Sequence, residues 1–254
     1  MKRTILFVLM LFIGLQLFAQ SGLEIMQKVD AAAKPSTSRS LVVMELIEKN
    51  GDTSSRQVEY IIANKNDIAY SLVLFHSPAN VKDTRFLSIE YPNKADDRWI
   101  YLPALKKVRR IAASEGGSSF MGTDFTYDDM AERDINKYEY QKLREEKTND
   151  FDCWVVEVVP KSGTDSQYSR SIFWVDKESL LTVRVELFDK DGELLKTSVC
   201  EQIAQVQGHW SIIKNRMTNN RTGHATLLEI KKLVYDSEID ERVFSTTFLE
   251  TGRY

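Results

Sequence analysis

Histidine and cysteine are scarce in this chain, three and two residues among 254, and that scarcity removes whole classes of chemistry. His76, His209 and His224 lie far apart and share no metal-ligand spacing, so each is expected to be solvated or packed in a strand, and no metal or cofactor is expected. Cys153 and Cys200 both fall in strand-like segments. One bridge is allowed in an oxidising compartment, and two buried thiols fit the residues equally. There is no basic excess: the formal net charge is −3, which argues against a nucleic-acid binder whose affinity rests on neutralising phosphates.

Catalytic signatures are also missing. Ser211-Ile212-Ile213-Lys214 matches S-x-x-K, but that motif works at a helix start and here sits in an alternating strand. Asp189-Lys190-Asp191-Gly192 opens like a calcium loop, yet Cys200 stands where the twelfth-position Glu belongs. A hairpin turn explains it better. The loop Glu115-Gly116-Gly117-Ser118-Ser119 lacks the Gly-Lys-Ser/Thr of a phosphate cradle. No enzyme activity is expected.

What is present begins at the N-terminus. Lys2 and Arg3 precede an apolar run from Ile5 to Leu15, and Ala19 offers a small residue for cleavage. That layout is a secretory signal peptide over residues 1–20, too short to span a membrane comfortably. No cysteine lies near the cut, so the mature chain, residues 21–254, is expected to be exported to the periplasm without a lipid anchor. Ser21 then caps a short helix with Leu23, Ile25, Met26 and Val29 on one face, and Pro35 ends it.

Beyond Pro35 the hydrophobic period changes from 3.6 to 2 and stays there. Strands are expected over 40–48, 55–63, 68–75, 84–91, 138–147, 152–160, 169–176, 181–188, 194–204, 209–217 and 224–235, joined by turns such as Asn50-Gly51 and Asp191-Gly192. With a central hairpin the count is about 11–13 strands. Leu181, Val183, Val185 and Leu187 are read as one face, as are Arg56, Val58, Tyr60 and Ile62. So many half-buried antiparallel strands imply a strongly curved sheet or barrel. Helical cover is scarce: the opening helix, a helix over 125–134 capped by Asp124, and a turn near Asp240–Phe244. With so little cover the sheet is expected to enclose a cavity. No linker or internal repeat divides the domain.

Residues 97–129 stand apart from this regularity. An aromatic strand (Trp99, Tyr101) turns at Pro103 into a basic one (Lys106, Lys107, Arg109, Arg110), and a glycine-serine loop follows with Phe120, Met121 and Phe125. Large apolar side chains are costly to leave in water, at roughly 1.5–3 kcal/mol each, so they form either a plug of core or a lid over ligand. The basic run reads either as a charged edge that resists aggregation or as a docking surface for acidic headgroups or a partner.

The helix Leu23-Glu24-Ile25-Met26-x-x-Val29, the elements Trp99-x-Tyr101-Leu102-Pro103 and Arg109-Arg110-Ile111, and the loop Phe120-Met121-Gly122-Thr123-Asp124-Phe125 together resemble the outer-membrane lipoprotein-sorting proteins of the LolA/LolB-like superfamily. The likeness is to a branch often found beside efflux-type lipid transporters. It implies a half-open antiparallel β-barrel with short helices as a lid over a hydrophobic cavity. It also implies a periplasmic carrier of lipid or lipoprotein acyl chains, working with an inner-membrane transporter between inner and outer membranes. The alternative is a non-carrying adaptor of that transporter. Carriers of the superfamily use an arginine in the cavity, and alternation nominates Arg56. Val58, Tyr60, Ile62, Leu72, Leu74, Trp99 and Tyr101 are expected to face inward, with Phe120, Met121 and Phe125 at the gate. Lys106, Lys107, Arg109 and Arg110 are expected to meet headgroups or the transporter.

Overall fold

The computed structural model describes residues 20–253, apart from 33 and 93. Residues 1–19 of the expected signal peptide lie outside the described residues. The first element is helix α1 (Gly22–Asp30). Ser21 Oγ accepts from the Glu24 N–H at 3.2 Å while the Glu24 carboxylate accepts from the Ser21 N–H at 2.8 Å, a reciprocal cap that satisfies two otherwise orphaned donors. A Cβ at Gly22 would sit 2.8 Å from the backbone of Gln141 and Lys142, so only glycine lets the helix start this close to the sheet.

Thirteen antiparallel strands follow among the described residues: β1 (Thr37–Ile47), β2 (Thr53–Lys65), β3 (Ile68–Ser77), β4 (Arg85–Glu90), β5 (Asp97–Leu102), β6 (Lys107–Arg110), β7 (Tyr138–Thr148), β8 (Phe151–Pro160), β9 (Arg170–Asp176), β10 (Thr182–Phe188), β11 (Leu194–Val206), β12 (His209–Asn219) and β13 (Ala225–Tyr235). They form one sheet in the order β6-β5-β4-β3-β2-β1-β13-β12-β11-β10-β9-β8-β7. Alternation builds it: Val42, Met44 and Leu46 are buried at every second position of β1. The sheet is not closed. Its free edges, β6 and β7, carry Lys107, Arg109 and Arg110 on one side and Lys142, Arg144, Glu145, Glu146 and Lys147 on the other. Exposed charge of this kind hinders edge-to-edge pairing with another sheet.

The edge strands β6 and β7 are consecutive in sequence, so the segment joining them, residues 111–137, must cross from one rim of the sheet to the other. Neighbouring residues of that strap hold opposite walls. Asp128 takes Arg98 of β5 at 2.7 Å, and Asp129 takes Lys196 of β11 at 3.3 Å. Those strands are seven places apart in the sheet order, which on a flat sheet means roughly 33 Å at about 4.8 Å per strand. Two adjacent residues cannot reach that far. The sheet therefore curls around the strap as a half-open barrel.

The strap defines the inner face, and the outer face carries the C-terminal cover: a 3-10 turn (Glu241–Val243) and helix α2 (Thr246–Thr251). Val243, Phe244, Phe248 and Leu249 pack there on Ile61, Leu72 and Leu87.

Three expectations change in this fold. Leu72 and Leu74 pair with Ile61 and Glu59, and onward through β4 with Trp99 and Tyr101. These four side chains thus lie under α2 on the outer face, opposite Val58, Tyr60 and Ile62, because side chains alternate and a one-residue offset between strands inverts the face. Leu181, Val183, Val185 and Leu187 do not share a side. The ladder shifts between Thr182 and Arg184, so Leu181 and Val183 pack with Cys153 and Trp174, while Val185 and Leu187 pack with Phe125 and Met217. Finally, no helix forms over 125–134. The Thr126 N–H donates to Asp129 Oδ2 and the Asp129 N–H to Thr126 Oγ1, closing a turn, while the Asp124 carboxylate is engaged elsewhere. Cys153 and Cys200 are both free, buried thiols in one apolar cluster. Burial pushes the Cys153 thiol up to about 12, which leaves it un-ionised and unreactive at neutral pH.

Candidate functional site: a strapped inner face with a chamber and a cleft

The strap folds back on itself as a small hairpin inside the barrel. Phe120 N–H donates to Phe125 C=O at 2.8 Å, Tyr127 N–H to Ser118 C=O at 3.2 Å, and Asp128 N–H to Gly116 C=O at 3.0 Å. The tip turns through Met121 (φ 52°) and Gly122 (φ 76°), both left-handed. Gly116 is required beneath the Asp128 side chain, whose carboxylate lies 2.4 Å from where a Cβ would be.

Each end of the hairpin is tied to a different wall. At the tip, Arg56 of β2 donates from Nη1 to the Met121 carbonyl at 2.6 Å. Its guanidinium is half-buried, and desolvation pulls its pKa below the usual arginine value, so this charge is held against a cost in hydration. Asp124 anchors the tip to β13: its N–H donates to Thr226 Oγ1 at 2.9 Å, Thr226 donates back to its carboxylate at 2.7 Å, and His224 Nδ1 lies 2.7 Å away. At the base, Asp129 accepts from the Tyr168 hydroxyl at 3.0 Å as well as from Lys196. Arg98, only 12% exposed, is shared between Asp128 and Asp96.

Phe120 is fully buried. Its ring sits 5.2 Å from Phe86, 5.6 Å from Tyr127 and 6.1 Å from Phe75, in a cluster that also holds Val58, Val73, Ile100 and Met44. Edge-to-face aromatic packing of this sort adds about 0.5–1.5 kcal/mol per pair to area burial. The β2–β5 half of the inner face is therefore packed. Met121 rests against that cluster beside Tyr60 and Leu228.

The other half is open. A chamber of about 380 Å³ lies between β1, β2, β12 and β13, walled by Val42, Ile62, Leu228, Ile230 and Leu233 and edged by Tyr60, Ser40 and Tyr235. A larger cleft of about 840 Å³ opens on the β9–β12 side of the strap, with Phe125, Phe173, Val185, Leu187 and Met217 inside and Glu90, Asp96, Asp129 and Arg133 at its rim. Ser198 borders both spaces. Both volumes fall in the range of about 300–1,000 Å³ typical of small-molecule sites. At the rim, Arg133 stacks on Phe173 and Tyr138 at 4.5 and 4.8 Å. Burial raises the Glu90 carboxyl to about 7, against the backbone N–H of Glu132 that favours its ionised form.

Of the residues expected at the site, Arg56, Val58, Tyr60 and Ile62 come together with Phe120, Met121 and Phe125. Within that group Val58 and Phe120 lie in the packed half, Tyr60 and Ile62 border the chamber, and Phe125 borders the cleft. Leu72, Leu74, Trp99 and Tyr101 lie on the outer face. In the β5–β6 hairpin, Arg109 is paired with Glu115 at 2.6 Å and Arg110 with Asp97 at 2.5 Å. Lys106 and Lys107 have no ion-pair partner among the described residues, and Leu105 beside them is 63% exposed. Sequence reasoning missed Asp129, Lys196, Arg98 and Tyr168, whose spacing carries no signal because the strap alone brings them together. Among the described residues no group of His, Cys, Asp and Glu is arranged to hold a metal ion, and no described helix is long and apolar enough to cross a membrane.

A half-open antiparallel barrel whose inner face is crossed by a strap, with apolar space left beside it, defines a LolA-like fold. A family model described as "-like: Uncharacterized protein" matches residues 67–251, more than half of the chain. A DUF1329 family protein from Desulfovibrio piger is 30% identical, with a TM-score of 0.86 over 90% of this chain and 97% of that one. A domain assigned as an outer membrane lipoprotein-sorting protein, from Vibrio parahaemolyticus, is 32% identical with a TM-score of 0.85, over 90% of this chain and 98% of that one. A LolA superfamily protein from Nitrosomonas europaea, 18% identical, shares the fold with a TM-score of 0.68 over 91% of this chain and 100% of that one. The chain belongs to the LolA-like lipoprotein-sorting family that these proteins represent. A stretch of 59 residues is also 39% identical to the sigma-E factor regulatory protein RseB of Escherichia coli, covering 23% of this chain and only 18% of that protein.

Proposed function

We propose that this protein is a periplasmic carrier that binds lipid or lipoprotein acyl chains on its inner face and moves them between inner and outer membranes, without catalysis. The observation that carries the reading is the unfilled half of the inner face: a chamber walled by Val42, Ile62, Leu228, Ile230 and Leu233, and beside it a cleft with an apolar floor of Phe125, Phe173, Val185, Leu187 and Met217 under a charged rim, Ser198 bordering both. A carrier must replace what an acyl chain gains in a bilayer, about 0.8 kcal/mol per buried methylene, and apolar walls supply that. Membership of a lipoprotein-sorting family and the secretory N-terminus support the cargo class and the compartment. Arg56 and Asp124 hold the strap tip by a few hydrogen bonds, so the chamber can widen if the tip lifts. The β5–β6 hairpin tip, with Leu105, Lys106 and Lys107 free, is the surface that meets acidic headgroups or an inner-membrane transporter; Arg109 and Arg110 are spent on internal ion pairs.

The adaptor reading has one observation in its favour, the packed half beneath Phe120. Native mass spectrometry of protein purified from its own host separates the two. Mass adducts of lipid or lipoprotein, lost on delipidation, support a carrier. A clean apo mass that takes up no added lipid overturns it in favour of the adaptor.

A further inference from the structure

Among the residues lining the 380 Å³ chamber, one carries a buried polar atom that the fold leaves without a partner. The chamber's other paired side chains satisfy one another: Ser198 and Asn215 exchange hydrogen bonds at 3.0 and 3.1 Å, and Ser211 and Tyr235 meet at 2.8 Å. Tyr60 differs. Its hydroxyl is buried and has no partner among the described residues, though it sits opposite Ser40 in the β1–β2 ladder, on the face lined by Val42 and Ile62. A buried hydroxyl without a partner costs about 1–3 kcal/mol; here it is covered beside Met121 and Leu228, so an occupant of the chamber meets it once the strap tip carrying Met121 lifts. Burial also drives the phenol pKa upward, which keeps the proton on the oxygen and makes Tyr60 a donor.

The lining narrows what that partner is. None of the residues around the chamber is charged, so a carboxylate there would be stripped of water with no cation to meet it. A free fatty acid is therefore a poor occupant at this point. An alcohol or primary amide brings donors of its own that need acceptors. An ester carbonyl brings acceptor capacity only, attached to hydrocarbon on both sides. We infer that Tyr60 donates a hydrogen bond to the ester carbonyl of an acyl chain lodged in the chamber, so that the protein recognises esterified acyl groups. The inference rests on the carrier reading and specifies its ligand. The shared chemistry occurs in glycerophospholipids and in the diacylglyceryl group of lipoproteins.

The test uses the full mature chain and three probes, each below its critical micelle concentration: a short-chain diacyl phosphatidylglycerol, its dialkyl ether analogue, and a diacylglyceryl lipopeptide. Affinities are measured for wild type and Tyr60→Phe, which keeps the ring and removes the donor. The wild type is expected to bind the diacyl ester about fivefold tighter than the ether, as one net hydrogen bond requires. Tyr60→Phe should bind the ether as wild type does and lose the preference. The lipopeptide should lose the same factor in the variant, and whichever ester binds wild type more tightly identifies the source. A second readout is independent of any variant: the infrared stretch of a ¹³C-labelled ester carbonyl should move to lower frequency on binding. An equal affinity of wild type for ester and ether, or a preference that survives in Tyr60→Phe, overturns the inference and leaves the carrier reading standing. Failure of wild type to bind any of the three overturns both.

Discussion

The two halves of the inner face are built from the same strands-and-turns grammar, yet one is a core and the other is a space. Beneath the strap, β2 to β5 present Val58, Val73, Phe86 and Ile100, and Phe120 and Tyr127 come down to fill the gap. Across the barrel, β1, β12 and β13 present Val42, Leu228 and Ile230 just as regularly, and the strap covers little there beyond Leu228, which packs near Met121 and Phe125. The difference lies in the strap's placement. Asp124 and Arg56 pin its tip close to the middle of the sheet, so Phe120 and Tyr127 fill the β2–β5 wall while Phe125 alone of its aromatic side chains packs on Leu187 and Met217 across the barrel. Apolar surface is buried by protein on one side and left available on the other.

The largest expected effect breaks the packed half. Phe120→Ala leaves a cavity among three aromatic rings and should lower unfolding free energy by about 3–5 kcal/mol, measured by denaturant titration. If Phe120 were a gate, the same change would alter lipid retention and spare stability. Next comes a matched pair of enlargements. Val73→Phe overpacks the filled half and should cost about 1–3 kcal/mol. Ile62→Phe grows into the chamber instead and should cost well under that while reducing acyl-probe affinity. Equal destabilisation by both would show that the halves are packed alike.

Arg56→Met removes the tie to the Met121 carbonyl and returns an apolar stem. Hydrogen bonds from charged groups are worth about 1.5–3 kcal/mol, and the relief of desolvation offsets part of that. The expected outcome is faster amide hydrogen exchange over residues 118–126 and faster acyl exchange, with a smaller loss of global stability than Phe120→Ala.

Glu90 supplies a pH test at the rim. Its carboxyl is raised in the folded state chiefly by burial, so the folded protein binds the proton more tightly than the unfolded chain. Its contribution is fully present below the unfolded value of about 4.5 and is lost as pH rises through about 7. Glu90→Gln should flatten stability over that window, and an unchanged profile would assign the dependence to other groups. The smallest effect is at the hairpin. Lys106→Ala with Lys107→Ala should weaken binding to anionic vesicles by about 1 kcal/mol per lysine, in a salt-dependent way, whereas Arg109→Ala and Arg110→Ala should change it less because those charges are already paired.

Much of this molecule was legible along the chain. Strand positions and the α1 cap follow from neighbours a few residues apart: period-2 burial in β1, Asn-Gly and Asp-Gly turns, and Ser21 three residues before Glu24. The helix expected at 125–134 does not form although Thr126 and Asp129 make the reciprocal bonds of a helix start; Tyr127 packs into the β2–β5 core and Asp128 and Asp129 are held by Arg98 and Lys196 on opposite walls, ties that lie far away in the chain. The candidate site was half legible. Arg56, Tyr60 and Ile62 share the face that alternation within β2 assigned. Leu72, Leu74, Trp99 and Tyr101 were placed on the wrong one, because alternation fixes which residues go together on one strand and says nothing of how the next strand is offset.

The sequence by itself determined a chain of many antiparallel strands with charged edges and one irregular aromatic loop, because those properties depend on composition and near neighbours. Only the tertiary structure decided that the loop is a strap joining the two rims, that Phe120 is core while Tyr60 borders the chamber, and that Asp128 and Asp129 hold walls seven strands apart. Those outcomes depend on sheet curvature, which sums the small twist of every strand pair and is written at no single position.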